Sequence, residues 1–299
     1  MGLGEILALI CAAMWASAVV LYKYVGDSLR ANTLNFLKNS IALCLLVPTA
    51  LLVEGFNLPD LSVIQWWVVA LSGYIGIAVA DTFFLQALRY LGAGRTAIVA
   101  SLYSPFVVIL SIIFLAETLV VWQWLGFVLV LLGIMVVVYQ RQYQDISRPQ
   151  LIKGALFAAS SVFFTASSVV AMKPILIHDG FFWMVSLRML AGLLGMVIYL
   201  VIRREVRQSI DEVTSGKHNW KGIVAASVCG SYLALLFWLA GFKYTDASIA
   251  SVLNETASIF IVIMAWLFLK ESLTLRKISG VLMTFLGVGI FLGLFNNIF

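Results

Sequence analysis

Ten uninterrupted apolar runs of about 20 residues each constrain this chain more than any other feature of its sequence. A transmembrane helix needs roughly 20 mostly apolar residues, whereas barrel strands would appear as segments of about ten residues that alternate in polarity. The continuous runs therefore predict an all-α integral membrane protein with ten transmembrane helices. The predicted spans are 3–23, 33–53, 65–88, 95–115, 121–140, 152–173, 181–202, 221–242, 247–269 and 276–295.

The composition excludes a water-soluble domain. Of the 299 residues, 63% are hydrophobic and 11% are charged, whereas soluble domains have roughly 45 to 50% and 25%. The net charge of +5 comes from basic residues scattered through short loops rather than clustered in one patch. We therefore expect the lipid bilayer as a partner, and no nucleic acid.

Residues typical of enzymes and metal sites are scarce. Cys11, Cys44 and Cys229 lie in apolar runs, where cysteine packs as a small hydrophobic residue. His178 and His218 lie in loops, and no span combines a nucleophile with a base or a set of metal ligands. The sequence predicts no enzymatic activity, no metal and no cofactor.

The two halves of the chain resemble each other. At an offset of 154 residues, the stretch that begins GIAVADTFF aligns without gaps with the stretch that begins GSYLALLFW. This match predicts a duplicated five-helix unit, with one repeat at 1–140, a connector at 141–151 and a second repeat at 152–299. The matched pairs include Tyr90 with Tyr244, Ser104 with Ser258, Glu117 with Glu271, Gly126 with Gly280, Gly133 with Gly287 and, at an offset of 150, Lys38 with Arg188.

An odd number of helices per repeat makes the second copy enter the membrane from the opposite side, so the repeat is predicted to be inverted. The positive-inside rule then sets the orientation. One side of the predicted topology collects 15 Lys and Arg residues, whereas the other has only Lys173 and Lys243. The charge count therefore predicts that both termini are extracytoplasmic.

Four charged residues lie well inside predicted spans: Lys38, Asp81, Arg188 and Glu255. Each costs at least about 2.5 kcal/mol at the bilayer centre unless it is paired or faces water. Matched depths predict that Lys38 pairs with Asp81, and that Arg188 pairs with Glu255. Two interpretations remain open, namely structural ion pairs that fix helix packing, and charges that gate the protein or bind substrate.

Polar residues also follow single helix faces. Ser251, Glu255 and Ser258 share one face of the ninth span, Thr165 belongs to a similar stripe on the sixth, and Asn35 to one on the second. These stripes indicate a wet interior. Helix packing through small hydroxyl residues is the alternative.

Five aromatic residues lie in mid-span, where a Tyr or Trp needs a partner for its polar group. Together with the polar residues they form the predicted substrate cavity. Its candidate residues are Trp15, Asn35, Lys38, Tyr74, Asp81, Tyr103, Thr165, Arg188, Tyr232, Trp238, Ser251, Asn254, Glu255 and Ser258.

Pro105 lies deep in the fourth predicted span and predicts a kink there, because proline frees a backbone carbonyl. The matching position of the second repeat is Ile259. The two halves are therefore expected to bend differently.

Several motifs resemble the EamA-type transporters of the drug/metabolite transporter superfamily. They are MWASAVVLYK, the cations Lys38 and Arg188, GIAVADTFFLQALRYLGAGRTAIVASLYSPF, LAETLVVWQWLGFVLVLLGI and LKESLTLRKISGVLMTFLGVGI. The resemblance covers essentially the whole chain. It implies a ten-helix single-chain carrier whose central cavity is lined by spans 1 to 4 and 6 to 9, while spans 5 and 10 brace the outside.

The resemblance implies a secondary transporter that moves a small metabolite by alternating access in a prokaryotic inner membrane. An amino-acid-like substrate and export are favoured, because Lys38 and Arg188 suit a carboxylate. A sugar, nucleotide-sugar or drug transporter of the same fold is the alternative, and a channel or a membrane-embedded enzyme is disfavoured. A monomer suffices for this function, while an oligomer and proton coupling are left open.

Overall fold

All regular secondary structure is helical in the residues that the computed structural model describes, which are 1–25, 29–138, 146–178, 180–216, 218–270 and 274–294. Within these residues, nine helical segments are long and apolar enough to cross a membrane. A further helix of 17 residues, Leu275–Phe291, lies where the tenth span was predicted. The prediction of an all-α membrane fold is confirmed.

The helix boundaries follow local capping signals. Capping boxes of Ser62 with Gln65 and of Ser147 with Gln150 start two of the helices. The second box starts its helix at Arg148, ahead of the predicted start at 152. The helices are α1 (Leu3–Val25), α2 (Ala31–Glu54), α3 (Val63–Gly73), α4 (Ala80–Ala100), α5 (Tyr103–Leu115), α6 (Val121–Val138), α7 (Arg148–Leu176), α8 (Phe181–Ile202), α9 (Val206–Ser215), α10 (Trp220–Ser227), α11 (Ala234–Tyr244), α12 (Ala247–Asn254), α13 (Ala257–Leu269) and α14 (Leu275–Phe291).

Two π-helical segments, π1 (Tyr74–Val79) and π2 (Val228–Leu233), join α3 to α4 and α10 to α11. Ala80 and Ala234, the residues that follow them, donate backbone hydrogen bonds to carbonyls five residues earlier. The two segments start 154 residues apart, at the offset of the sequence match. Such widened turns are rare and frequently mark functional sites.

The fourth and ninth spans are both broken. Residues 101–102 separate α4 from α5, and residues 255–256 separate α12 from α13, again 154 residues apart. At each break a hydroxyl group donates to a carbonyl three residues earlier, from Ser101 to Ile98 and from Thr256 to Leu253. Because the second break has no proline, Pro105 is not what sets the position of the first.

The segment 203–220, which the sequence predicts to be a solvated connector, contains the helix α9. Glu212 on α9 accepts hydrogen bonds from the backbone N–H of Arg30 (2.6 Å), from its Nε (3.0 Å) and from Thr33 Oγ1 (2.7 Å). Burial raises the pKa of the Glu212 carboxyl, but these hydrogen bonds outweigh it and lower the pKa overall. The connector therefore includes a helix, α9, whose Glu212 caps the start of α2.

Helices from the first half of the chain pack against helices from the second half. The main contacts join α1 to α11, α2 to α8, α4 to α7 and α6 to α14. The largest apolar core lies between α2, α7, α8 and α11, and includes Leu46, Met172, Leu176, Met184 and Leu239.

The α6 and α14 helices touch through glycines. A Cβ atom added to Gly126 would lie 2.6 Å from the carbonyl oxygen of Gly287, and one added to Gly280 would lie 2.7 Å from that of Gly133. Small residues of this kind let helix backbones approach closely in a membrane. The two helices form a pair at one side of the molecule.

Candidate functional site

A cavity of about 440 Å³ lies between the two halves of the chain. Its lining residues belong to spans 1 to 4 and 6 to 9, and no described residue of α6 or α14 contributes. The volume falls in the range of pockets that hold small molecules, roughly 300 to 1,000 Å³. The structure therefore has the cavity arrangement that the family resemblance implies.

Most of the predicted cavity residues face this space. The ten that line it are Trp15, Lys38, Asp81, Tyr103, Thr165, Arg188, Trp238, Asn254, Glu255 and Ser258. They come from all eight contributing spans. In the eighth span, the π-helical segment also contributes Gly230 and Ser231.

Two predicted residues, Asn35 and Ser251, lie behind the cavity wall rather than in it. Asn35 is buried, and its Nδ2 donates to Asp81 Oδ2 at 2.9 Å. Ser251 is fully buried, and its Oγ donates to the carbonyl of Ser248 within α12. Helical periodicity gave their face of the helix, but not which neighbour covers it.

Two predicted aromatic residues, Tyr74 and Tyr232, also lie outside the cavity. Tyr74 is 43% exposed, and its ring lies beside Gly195 of α8. The hydroxyl of Tyr232 hydrogen-bonds Thr49 Oγ1 at 2.7 Å. A mid-span tyrosine can therefore satisfy its polar group between helices, away from the cavity.

The sequence prediction missed small lining residues, because glycine and alanine carry no chemical signal of their own. Gly76 and Gly230 line the cavity from the two π-helical segments. A Cβ atom at Gly76 would collide with Ser168 and with the Arg188 guanidinium. The two glycines are 154 residues apart, so their match in the repeat is the signal that could have found them.

Neither predicted ion pair forms. All four residues are described, and no salt bridge of 4.0 Å or less joins Lys38 to Asp81 or Arg188 to Glu255. Lys38 Nζ lies 5.9 Å from the centre of the Trp15 ring, while Asp81 accepts from Asn35. The prediction of contact ion pairs is therefore wrong, although the Lys38 charge still acts electrostatically on Asp81 at longer range.

Arg188 is 1% exposed and contacts neutral groups. Its Nη2 donates to Ser168 Oγ at 3.1 Å, and its Nη1 lies 3.6 Å from the sulfur of Met172. The guanidinium lies 5.6 Å from the centre of the Trp238 ring, while its Nε has no hydrogen-bond partner. A cation over an aromatic face is stabilised, but it keeps its capacity to bind an anion.

Glu255 lies at the break between α12 and α13, and its Oε1 accepts from Ser104 Oγ at 2.9 Å. The neighbouring residue, Asn254, has a buried side-chain amide in which neither the oxygen nor the nitrogen has a partner. Across the cavity wall, Trp238 Nε1 donates to the hydroxyl of Tyr103 at 3.2 Å. The broken span thus places a carboxylate in the cavity lining beside a buried amide that has no partner among the described residues.

Glu117, between α5 and α6, joins three parts of the chain. Its carboxylate accepts from the backbone N–H groups of Ala247 (2.7 Å) and Ser248 (2.9 Å), which start α12, and from Ser248 Oγ (2.8 Å). Lys173 Nζ on α7 donates to Glu117 Oε1 (3.0 Å) and to the carbonyl of Thr245 (2.6 Å). We call these five residues the Glu117 latch.

The Glu117 latch is partly buried, with 8% of the Glu117 side chain and 17% of the Lys173 side chain exposed. Burial raises the pKa of the Glu117 carboxyl, but the hydrogen bonds from Ser248, Ala247 and Lys173 outweigh it and hold the pKa below its ordinary value. Glu271, the predicted counterpart of Glu117, lies outside the described residues.

A third carboxylate cap fixes α8 to α2. Glu54 accepts from the backbone N–H groups of Phe182 and Trp183, both at 3.0 Å, and Trp183 Nε1 donates to the carbonyl of Gly55 at 3.1 Å. Since Glu212 of α9 caps the other end of α2, the α2 helix is held by α8 at one end and by α9 at the other. In the described part of the chain, no three residues of the His, Cys, Asp and Glu types come together as metal ligands would.

The family model of the EamA-like transporter family matches this chain over residues 2–139 and again over 152–293. An uncharacterized transporter of Archaeoglobus fulgidus is 26% identical over 277 residues, which cover 92% of this chain and 93% of that protein. Protein PecM of Dickeya dadantii is 22% identical over 236 residues, which cover 79% of this chain and 76% of PecM.

One solved crystal structure is similar to this chain along its whole length. The TM-score is 0.81 at 16% sequence identity, and the match covers 99% of this chain and 98% of the other. The comparison shows that the two chains share a fold.

Proposed function

Because this chain belongs to the EamA-like transporter family, we propose that it is a secondary carrier that exports a small, amino-acid-like metabolite by alternating access. It is a multi-pass membrane protein, and its relatives include bacterial and archaeal proteins. The observation that carries the proposal is the cavity between the two halves, which holds four charged side chains that form no salt bridges with one another.

The charges of the cavity favour a zwitterion. Lys38 and Arg188 are balanced by Asp81 and Glu255, so the lining has no net formal charge. A solute with one positive and one negative group can replace the water lost by both kinds of side chain, whereas a simple ion leaves one kind unmatched. The aromatic rings of the cavity add contact area for an apolar side chain.

An inverted duplication supports alternating access. We propose repeats at 1–140 and 152–299, joined by a connector at 141–151 that lies partly outside the described residues. The π-helical segments and the broken spans recur at the offset of 154 residues. If each repeat can adopt the shape of the other, exchanging their shapes opens the same site to alternate sides of the membrane.

The Glu117 latch is the proposed closure at one membrane face. It joins the loop after α5 to the end of α7 and the start of α12, all of which lie at one end of helices that line the cavity. The positive-inside count assigns this end and both termini to the extracytoplasmic face. The conformation described here would then be closed toward the outside.

Counterflow in proteoliposomes tests the carrier function. Vesicles loaded with an unlabelled mixture of the 20 amino acids should take up external labelled amino acid faster than empty vesicles, and initial rates should saturate. Protein-free vesicles loaded with the same mixture serve as the inactive control. Uptake that rises linearly with concentration and ignores the internal pool would support a channel instead.

A further inference from the structure

The two cations of the cavity are in different situations. Lys38 is partly exposed beside the Trp15 ring. Arg188 is fully buried and, among the described residues, contacts only neutral groups and has no partner for its Nε. A buried charge without a counter-ion is costly, so Arg188 is the cation with the most to gain from an anion.

Glu255 is in the same situation as Arg188, but with a negative charge. Its described partner is Ser104, through the hydroxyl and the backbone N–H, and no Lys or Arg side chain approaches it within 4.0 Å among the described residues. Asn254 beside it has an amide whose donor and acceptor are both buried and unused. The break in the ninth span therefore supplies an uncompensated carboxylate and a free amide.

A short chain of contacts places Arg188 and Glu255 on the same wall. The Arg188 guanidinium covers the Trp238 ring, and Trp238 donates to the hydroxyl of Tyr103. The next residue, Ser104, donates to Glu255. All of these residues except Ser104 line the cavity.

Resting on the proposed carrier function, we propose that Arg188 binds the carboxylate and Glu255 the ammonium group of one substrate molecule, with Asn254 as a further hydrogen-bonding partner. The fork of guanidinium donors matches a carboxylate, which it can bind at two points. The carrier then selects solutes that have both groups free. Lys38 and Asp81 contribute to the electrostatic balance of the cavity but bind neither the carboxylate nor the ammonium group.

Substrate analogues test this assignment. The probe is whichever of the 20 amino acids gives the strongest thermal stabilisation of the purified protein, compared with its amide and its N-acetyl derivative. The intact protein should bind the free amino acid at least about 30-fold more tightly than either derivative, the loss expected when one buried charge pair is broken.

Variants show which residue binds the carboxylate and which binds the ammonium group. Arg188→Gln should remove the preference for the acid over the amide, while Glu255→Gln should remove the preference for the free amine over the N-acetyl derivative. Lys38→Met also removes one cavity cation and is the comparison for the ratios alone, because absolute affinities can change while both preferences should remain. If Arg188→Gln does not fold, Arg188→Lys keeps the charge without the fork and should still lose most of the preference for the acid.

The outcomes separate this inference from the carrier function. If counterflow of an amino acid is observed but its amide and N-acetyl derivative bind equally well, the two-point assignment is wrong and the carrier remains. If Lys38→Met, rather than Arg188→Gln, abolishes the preference for the acid, Lys38 is the carboxylate site. If none of the 20 amino acids stabilises the protein, the substrate is not of this class and the assignment also fails.

Discussion

Three carboxylates each cap the start of a helix that is distant in the sequence. Glu54 caps α8, Glu117 caps α12 and Glu212 caps α2. A negative charge at a helix N-terminus satisfies free N–H groups and opposes the helix dipole. These residues therefore position whole helices through side chains that lie at the end of a span or between spans.

Replacing Glu117 by Gln should destabilise the protein by about 2 kcal/mol, because one oxygen of the carboxylate becomes a donor and the charge that Lys173 meets is lost. The pKa of Glu117 lies below its ordinary value. The stability that it contributes is therefore present above the unfolded-state pKa of about 4.3 and is lost as the pH falls through the lower folded-state pKa.

Melting temperatures measured from pH 7 down to pH 3 check this prediction. The difference between the native protein and Glu117→Gln should be full at pH 7 and shrink on acidification below about pH 4. Asp246→Asn, at a neighbouring site without a described side-chain cap, is the control and should show a smaller difference. A gap between the native protein and Glu117→Gln that stays constant with pH would contradict the role given to the Glu117 carboxylate.

Polarity in the sequence identified charged and aromatic cavity residues, because an ionisable group inside an apolar run has few places to face. It did not identify their partners. Lys38 and Arg188 both lie over tryptophan rings rather than against carboxylates. The depth of a residue along its helix gives only its height in the membrane. Which side chain it contacts also depends on how the helix is rotated and on which helices lie beside it.

At the scale of elements, hydropathy located the spans because each is a long apolar run. It missed α9, which is short and polar enough to read as a loop. The π-helical segments were also unforeseen, since their residues follow the same apolar pattern as an ordinary helix. Their recurrence after 154 residues indicates that the backbone irregularity belongs to the fold.

Gly133→Leu should force α6 away from α14 and destabilise the protein by about 1 to 3 kcal/mol, because a side chain there meets the backbone of Gly280 and the hydroxyl of Thr284. Thermal unfolding in detergent measures the effect. Met135→Leu changes a side chain on the exposed face of the same helix and should have little effect. Equal stability of both variants would show that the glycine contact does not hold the pair together.

At the scale of the molecule, both halves contribute to every main helix contact and to the cavity. The sequence predicts two repeats from matched glycines, tyrosines and glutamates. Which conformation the protein adopts was not predictable, because the proposed inverted pair of repeats would support two arrangements of nearly equal contacts.

The proposed orientation predicts the location of two reporters. One inserted near Ser209 should be cytoplasmic, and one fused after Phe299, which lies outside the described residues, should be extracytoplasmic. Protease protection in intact cells distinguishes the two sides. A cytoplasmic reporter after Phe299 would reverse the orientation, and the Glu117 latch would then lie at the cytoplasmic face.

The central claim is that the Glu117 latch must open for transport to occur. A Glu117→Cys, Ser248→Cys variant, made in a background that lacks Cys11, Cys44 and Cys229, can be joined by a reducible crosslinker across a site where the native side chains are 2.8 Å apart. Counterflow measured before crosslinking, after it and after reduction should be active, abolished and restored, whereas the single variants should stay active throughout. Transport that persists through the crosslinked protein would contradict alternating access at this face.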